Sequence, residues 1–210
     1  MPTYTVQQGD HLSGIAEQFG FQSVDTIWNH ANNSALKKQR KDPHILFPGD
    51  DVFIPPPSEK SESAPTTKLS EFTILIKRVR LNLKLEDINR DPIASKPVTL
   101  DVEGRTVPPP NTDGDGKTSS VILKSAKNGV LLLGDLQFPL KIGHLDPIDK
   151  QPGQIARLNN LGYEAGDTVT VDADAFQSAV EEFQCDNGIK PVTGVCDDAT
   201  QAKLKDVHGC

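Results

Sequence analysis

The sequence predicts a multidomain α+β chain of three modules. A βααβ module spans residues 1–55, a small antiparallel β-sandwich spans 71–145, and a three-helix domain spans 146–210. Three observations carry this reading. Apolar residues recur at helical spacing near both ends, and they alternate in twos through the middle. Between the first two modules, "PPSEKSESAPTTKLS" has no apolar period and reads as an extended linker over 56–70.

In the first module, Tyr4, Thr5 and Val6 read as a short strand before a turn at Gly9, and Asp10 is placed to cap a helix. Leu12, Ile15, Ala16 and Phe19 form one helical stripe, ended by Gly20. Ser23 is placed to cap a second helix, striped by Val24, Ile27, Trp28 and Ala31. A polar loop follows, then "PGDDVFIP", a turn and a strand through Val52, Phe53 and Ile54. Trp28 lies in the helical stripe, so it is expected in the core and not stacked on a ligand.

In the second module, Val79, Leu81, Leu83 and Leu85 alternate with polar residues as a strand with one buried face. Phe72, Ile74 and Ile76 alternate in the opposite phase, which predicts a bulge near Lys77–Arg78. Val98–Val102, Val121–Leu123, Val130–Leu133 and Phe138–Ile142 supply further short strands. Their turn clusters and the lack of helical stripes predict an antiparallel sandwich.

In the third module, Ile155, Leu158 and Leu161 share a helical face stopped by Gly162. Phe176, Ala179, Val180 and Phe183 mark a second helix, and Asp198 with Gln201 resembles the capping box of a third, through Leu204.

These residues carry resemblances. "YTVQQGDHLSGIAEQFG", "IWNHAN" and "ILFPGDDVFIP" resemble a LysM domain. That resemblance implies binding of N-acetylglucosamine glycans, peptidoglycan or chitin-like, between two loops. They are Gly9, Asp10, His11, Leu12 and Ser13, and Ile45, Leu46, Phe47, Pro48 and Gly49. Main-chain amides there would bond N-acetyl groups, while Leu12 and Leu46 would touch sugar faces. "PIASKPVTLDVEG…NTDGDGKTSSVI" resembles a transthyretin-like sandwich. "IARLNNLGYEAG", "FQSAVEEFQCDNGI" and "TGVCDDATQAKL" resemble the three-helix peptidoglycan-binding domain, although "DTVTVDAD" lacks that family's Asp-Gly-x-x-Gly repeat. The loop "NNSALKKQRKDPH" is longer than in typical wall-anchoring LysM domains, and is similar to loops of LysM proteins of contractile injection machines, including type VI secretion systems. Its Lys37, Lys38, Arg40 and Lys41 read either as a solvated loop or as a docking surface for a spike or tip protein.

Charge and composition narrow the field. The formal charge is −7, and residues 146–210 hold twelve Asp/Glu against five Lys/Arg, so the rest of the chain is neutral. Long-range attraction to nucleic acid or to anionic membrane is not expected. No apolar run is long enough to insert in a membrane. "MPTYTVQQGD" lacks the basic and apolar regions of a secretory signal. The expectation is a bacterial protein made in the cytoplasm and delivered to a periplasm by a contractile system.

Chemistry-bearing clusters are few. "NTDGDG" at 111–116 imitates half of an EF-hand loop, but the twelfth position is Ile122 where a bidentate Glu belongs, which favours a plain glycine-rich turn. Cys185, Cys196, His208 and Cys210 lack the CxxC spacing of structural zinc sites. A disulfide is favoured, as Cys185–Cys210 with Cys196 left over, though sequence does not choose among three pairings. His144, Asp146 and Glu181–Glu182 belong to no hydrolase signature. The expectation is therefore a non-enzyme without cofactor or metal: a peptidoglycan-binding accessory or cargo-linked component of a type VI-like system, or else a structural adaptor to a spike or baseplate.

Overall fold

A computed structural model describes residues 3–58, 63–71, 79–107 and 111–210. It divides into two compact units, Met1–His44 with Pro48–Gly143, and Ile45–Phe47 with His144–Cys210. The first two expected modules thus share one unit.

Strands β1 (Thr3–Thr5) and β2 (Asp51–Phe53) pair antiparallel, Tyr4 opposite Val52. Between them lie α1 (Leu12–Gln18), α2 (Val24–Trp28), a 3-10 turn (Ala31–Asn33) and α3 (Ser34–Arg40). Leu12, Ile15, Ala16, Ile27 and Trp28 are buried, so the two predicted stripes are core, Trp28 included. Ser23 caps α2 as expected, accepting from the Asp25 amide at 3.2 Å. The α1 cap is His11, one residue later than Asp10, its Nδ1 accepting from Gly14 N. Asp10 Oδ2 is drawn elsewhere, to Tyr4 Oη at 2.7 Å and the Gln7 amide at 3.0 Å.

Helix α3 replaces the expected polar loop. Its buried face is Leu36 and Arg40, with Asn33 buried just before it. These positions are spaced i, i+3, i+7 on one face, yet only one is apolar. Arg40 is neutralised by Asp50, with Nε–Oδ2 at 2.7 Å and Nη2–Oδ1 at 2.8 Å. Asn33 Nδ2 donates to Ile27 O and Phe53 O, and its Oδ1 accepts from Phe53 N. One amide thereby ties α2 to β2, satisfying main-chain groups that burial would otherwise leave costly.

Among the described residues, the remaining strands of the first unit form two antiparallel sheets. β3 (Val79–Lys84) pairs with β6 (Lys117–Ile122), and a four-stranded sheet runs in the order β5-β4-β7-β8. Its strands are β4 (Thr99–Val102), β5 (Arg105–Val107), β7 (Asn128–Leu133) and β8 (Leu136–Lys141). Val98, Leu100, Val102, Ile122, Ala126 and Leu131 form one core, joined by Val79, Leu81 and Leu83 from the other sheet. The predicted Phe72–Ile76 alternation and the bulge at Lys77–Arg78 lie outside the described residues. Asp113 shapes the 111–116 segment as a turn, its Oδ1 accepting from the Asp115 and Lys117 amides.

The second unit holds α4 (Gln151–Asn160), α5 (Ala173–Asp186) and α6 (Asp198–His208). Ile155, Leu158, Tyr163, Ala165, Ala179, Val180, Phe183 and Leu204 make its core. Asp197, not Asp198, caps α6, accepting from Thr200 N at 2.9 Å. In the "DTVTVDAD" segment, Asp167 Oδ1 accepts from the Val169 and Thr170 amides, so a carboxylate forms the turn.

Candidate glycan-binding elements

The first expected glycan loop is folded inward. His11 and Ser13 are buried and Leu12 is fully so, which corrects the expectation that Leu12 meets a sugar face. The Leu12 amide is spent on Pro43 O at 3.2 Å. The reason is local: Leu12 opens the apolar stripe of α1, and a residue cannot both fill the core and present itself to a ligand.

The sheet portion of the same unit touches this loop. Lys127 Nζ lies 3.0 Å from Asp10 Oδ1, and Lys124 Nζ donates to Gln22 O at 3.1 Å. A Cβ on Gly143 would stand 2.7 Å from His11 Cδ2 and 3.0 Å from Gly9 O, so glycine there permits the approach. Burial pushes the His11 imidazole below its ordinary range, and neighbouring His44 adds to this against a hydrogen bond to the Ala126 main chain. Burial opposes ionisation of Asp10, but hydrogen bonds from Tyr4, the Gln7 amide and Lys127 outweigh it and hold its carboxyl low. The same contact with Asp10, with burial, pushes the Tyr4 hydroxyl up to about 12. At the loop a cleft of about 400 Å³ is lined by Gly9, Asp10 and His11 together with Gly14, Ile15, Glu17 and Gln18 of α1 and Ser125 and Lys127 of the β6–β7 turn.

The second expected loop is divided. Pro48 and Gly49 belong to the first unit, where Gly49 N donates to Val6 O at 2.9 Å. Ile45, Leu46 and Phe47 belong to the second, where Lys150 Nζ lies 5.6 Å from the Phe47 ring centre. Leu46 is buried, so its expected sugar contact is corrected as well.

The four expected docking cations separate. Lys37, Lys38 and Lys41 are exposed, with Lys37 Nζ bonded to Asn29 Oδ1. Arg40 is buried in its pair with Asp50 and is withdrawn from any docking face.

In the second unit no disulfide forms. Cys185 is exposed on α5, whose buried face is Val180, Phe183 and Gln184. Cys210 Sγ instead lies 3.0 Å from His208 Nδ1, so the expected Cys185–Cys210 pairing is not made. Burial pushes the Cys196 thiol up to about 12, helped by Asp197, which leaves it a poor nucleophile.

Two buried polar side chains escaped sequence reading. Arg157 donates to Asp146 O, Gly153 O and Cys210 O. Gln184 accepts from Thr193 N and Gly194 N and donates to Val195 O and Thr200 Oγ1. Polarity usually marks surface, and nothing in a helical period singles out the polar exception.

His208 gives the unit a pH response. Asn160 Nδ2 lies 3.0 Å from its Nε2 and Cys210 Sγ lies 3.0 Å from its Nδ1, an arrangement that suits the neutral ring. Burial, with Arg157 nearby, pushes this imidazole down to about 4. The group protonates more readily unfolded, so its stabilisation is present above pH ~6.5 and lost as pH falls toward 4. Urea titrations at pH 7 and pH 4.5 should show about 2 kcal/mol lost through this group, allowing for its partial exposure. In His208→Asn that part of the loss should vanish.

No curated protein and no solved structure matches the chain. Two family profiles do match. Residues 4–37 match the LysM domain, which takes in the first loop but not 45–49. Residues 156–204 match the "Putative peptidoglycan binding domain", which takes in all but the ends of the three-helix core. The chain thus carries two wall-recognition domains, and together they support a peptidoglycan or glycan partner.

Proposed function

We propose that this chain binds peptidoglycan without cleaving it. The observation that carries the reading is the pairing of two wall-recognition matches, at 4–37 and 156–204, in one chain. Two weak modules on one chain gain avidity when both reach the same wall. The non-catalytic part draws on chemistry: glycoside hydrolysis needs two converging carboxylates in a cleft. At the cleft beside α1, Asp10 is held by Lys127, Tyr4 and Gln7, which leaves Glu17 without a second free carboxylate.

The finer reading is an accessory or cargo-linked component of a type VI-like contractile system, acting in a periplasm. Its support is the resemblance of the 32–50 segment to LysM proteins of such machines. The exposed Lys37, Lys38 and Lys41 offer a cationic docking face for an acidic spike or tip surface, now without Arg40. An adaptor that docks but binds no glycan is the competing reading, favoured by the inward folding of the first loop. The transthyretin-like reading of 71–145 draws on its turn run and on two sheets sharing a core.

The full chain should co-sediment with purified peptidoglycan sacculi and release no soluble muropeptides. Muropeptide release would refute the non-catalytic reading. Failure to sediment, with recovery of a spike component in pulldowns, would establish the adaptor.

A further inference from the structure

The contacts at the first LysM loop form a continuous seam. Along the loop and α1, Asp10 meets Lys127, His11 and Gly9 meet Gly143, and Gly14 approaches Lys124 O, where a Cβ would stand 3.4 Å away. The covering element is itself firmly mounted. Ala126 is fully buried in the sheet core, and Glu103 Oε1 accepts from the Lys127 and Asn128 amides at 2.8 Å each. The turn therefore presents its two lysines from a fixed base.

The seam is nevertheless built from weak parts. Among the described residues, the sheet core around Ala126 draws on the sheet portion and on no residue from α1 or α2. Across the seam, among the described residues, the polar ties are Lys127–Asp10, with Lys127 half exposed and Asp10 largely covered, an exposed bond from Lys124, and a hydrogen bond between buried His11 and the Ala126 main chain. Exposed ion pairs contribute little and are screened by salt. A junction held by polar ties, only one of them between buried groups, opens at lower cost than a shared apolar core would.

We propose that the β6–β7 turn and Gly143 act as a latch that holds the first LysM loop in a closed, glycan-excluding state. This rests on the reading above that the loop contacts glycan. In the closed state, Asp10 and His11 are engaged by the chain's own turn, and Gly9 and His11 lie against Gly143, while Leu12 belongs to the core in either state. Ligand binding then requires the turn to lift. Apparent affinity falls by the open fraction, and anything that favours opening raises it. A second wall-binding domain in the same chain makes such a latch workable: once that domain is attached, local glycan concentration drives the opening.

The test changes only the latch. Lys124→Glu/Lys127→Glu places one carboxylate against Asp10 and the other against the Gln22 carbonyl, and leaves every LysM residue intact. Binding of an N-acetylglucosamine tetramer to the full chain is titrated at low salt, with amide hydrogen exchange read over 9–14. The variant should bind roughly 5- to 10-fold tighter than wild type, and exchange over 9–14 should rise. Raising salt should narrow the gap by strengthening wild-type binding. Lys127→Ala, which removes the pair without repulsion, should fall between. Thermal unfolding of each variant checks that it folds. Unchanged or weaker tetramer binding by folded variants, while wild type still sediments with sacculi, overturns the latch alone. If neither wild type nor variant sediments or binds the tetramer, the glycan reading fails and the latch with it.

Discussion

Asp50→Ala should destabilise the first unit by about 3–5 kcal/mol. Arg40 and Asp50 have side chains only 3% and 8% exposed, and two short bonds join them. Removing the carboxylate leaves a guanidinium in a place where water cannot replace its partner. Breaking a buried pair costs much more than the pair is worth relative to apolar residues, because the remaining charge stays desolvated. Urea unfolding of the full chain, followed by the single Trp28 in this unit's core, measures the loss. Charge reversal at exposed Lys37 and Lys38 should change stability by no more than about 0.5 kcal/mol. A small effect from Asp50→Ala would mean that Arg40 reaches solvent and returns it to the docking face.

Gln184→Leu should cost the second unit about 2–4 kcal/mol. The side chain is 1% exposed and serves both donors and acceptors of the 193–200 segment. Leucine fills similar volume but strands the Thr193 and Gly194 amides, while the Val195 carbonyl keeps the Asp197 amide. Gln184→Glu separates the two halves of the network. It still accepts from the two amides when ionised, yet it cannot donate to Val195 O or Thr200 Oγ1. Its stability should recover partly as pH falls and the carboxyl regains a proton. Denaturant titration monitored by helical circular dichroism checks both variants. A loss below about 1 kcal/mol in Gln184→Leu would show that water reaches the segment and replaces the amide.

Periodicity made most of the regular structure legible. The stripes at Leu12–Ala16, Ile27–Trp28, Ile155–Leu158 and Ala179–Phe183 are helices with those residues buried, because one apolar face per helix is a linear signal. The Val79–Leu85 alternation is likewise β3 with its partner β6. Elements whose buried faces are polar did not show. Helix α3 hides behind Arg40 and Asn33, and β5, with only Val107 partly buried, has no apolar alternation to read. Caps shifted by one residue, from Asp10 to His11 and from Asp198 to Asp197, because adjacent residues compete for the same orphan amides and only the backbone angles decide.

The candidate site divides in the same way. Sequence by itself determined that two wall-recognition domains flank a β-rich middle, because those domains are written in local motifs of helix, turn and stripe. By resemblance it also pointed to a loop where glycan contacts are expected. Tertiary structure alone decided whether that loop is open. The closure depends on Lys127 meeting Asp10 and Gly143 meeting His11, pairs more than a hundred residues apart whose members carry no mark of one another in sequence. It likewise decided that Arg40 faces Asp50 and not a partner, and that Leu12 and Leu46 are core. Burial is a property of what packs on a residue from elsewhere in the chain, so a local pattern names the residue types and the fold alone assigns them inside or out.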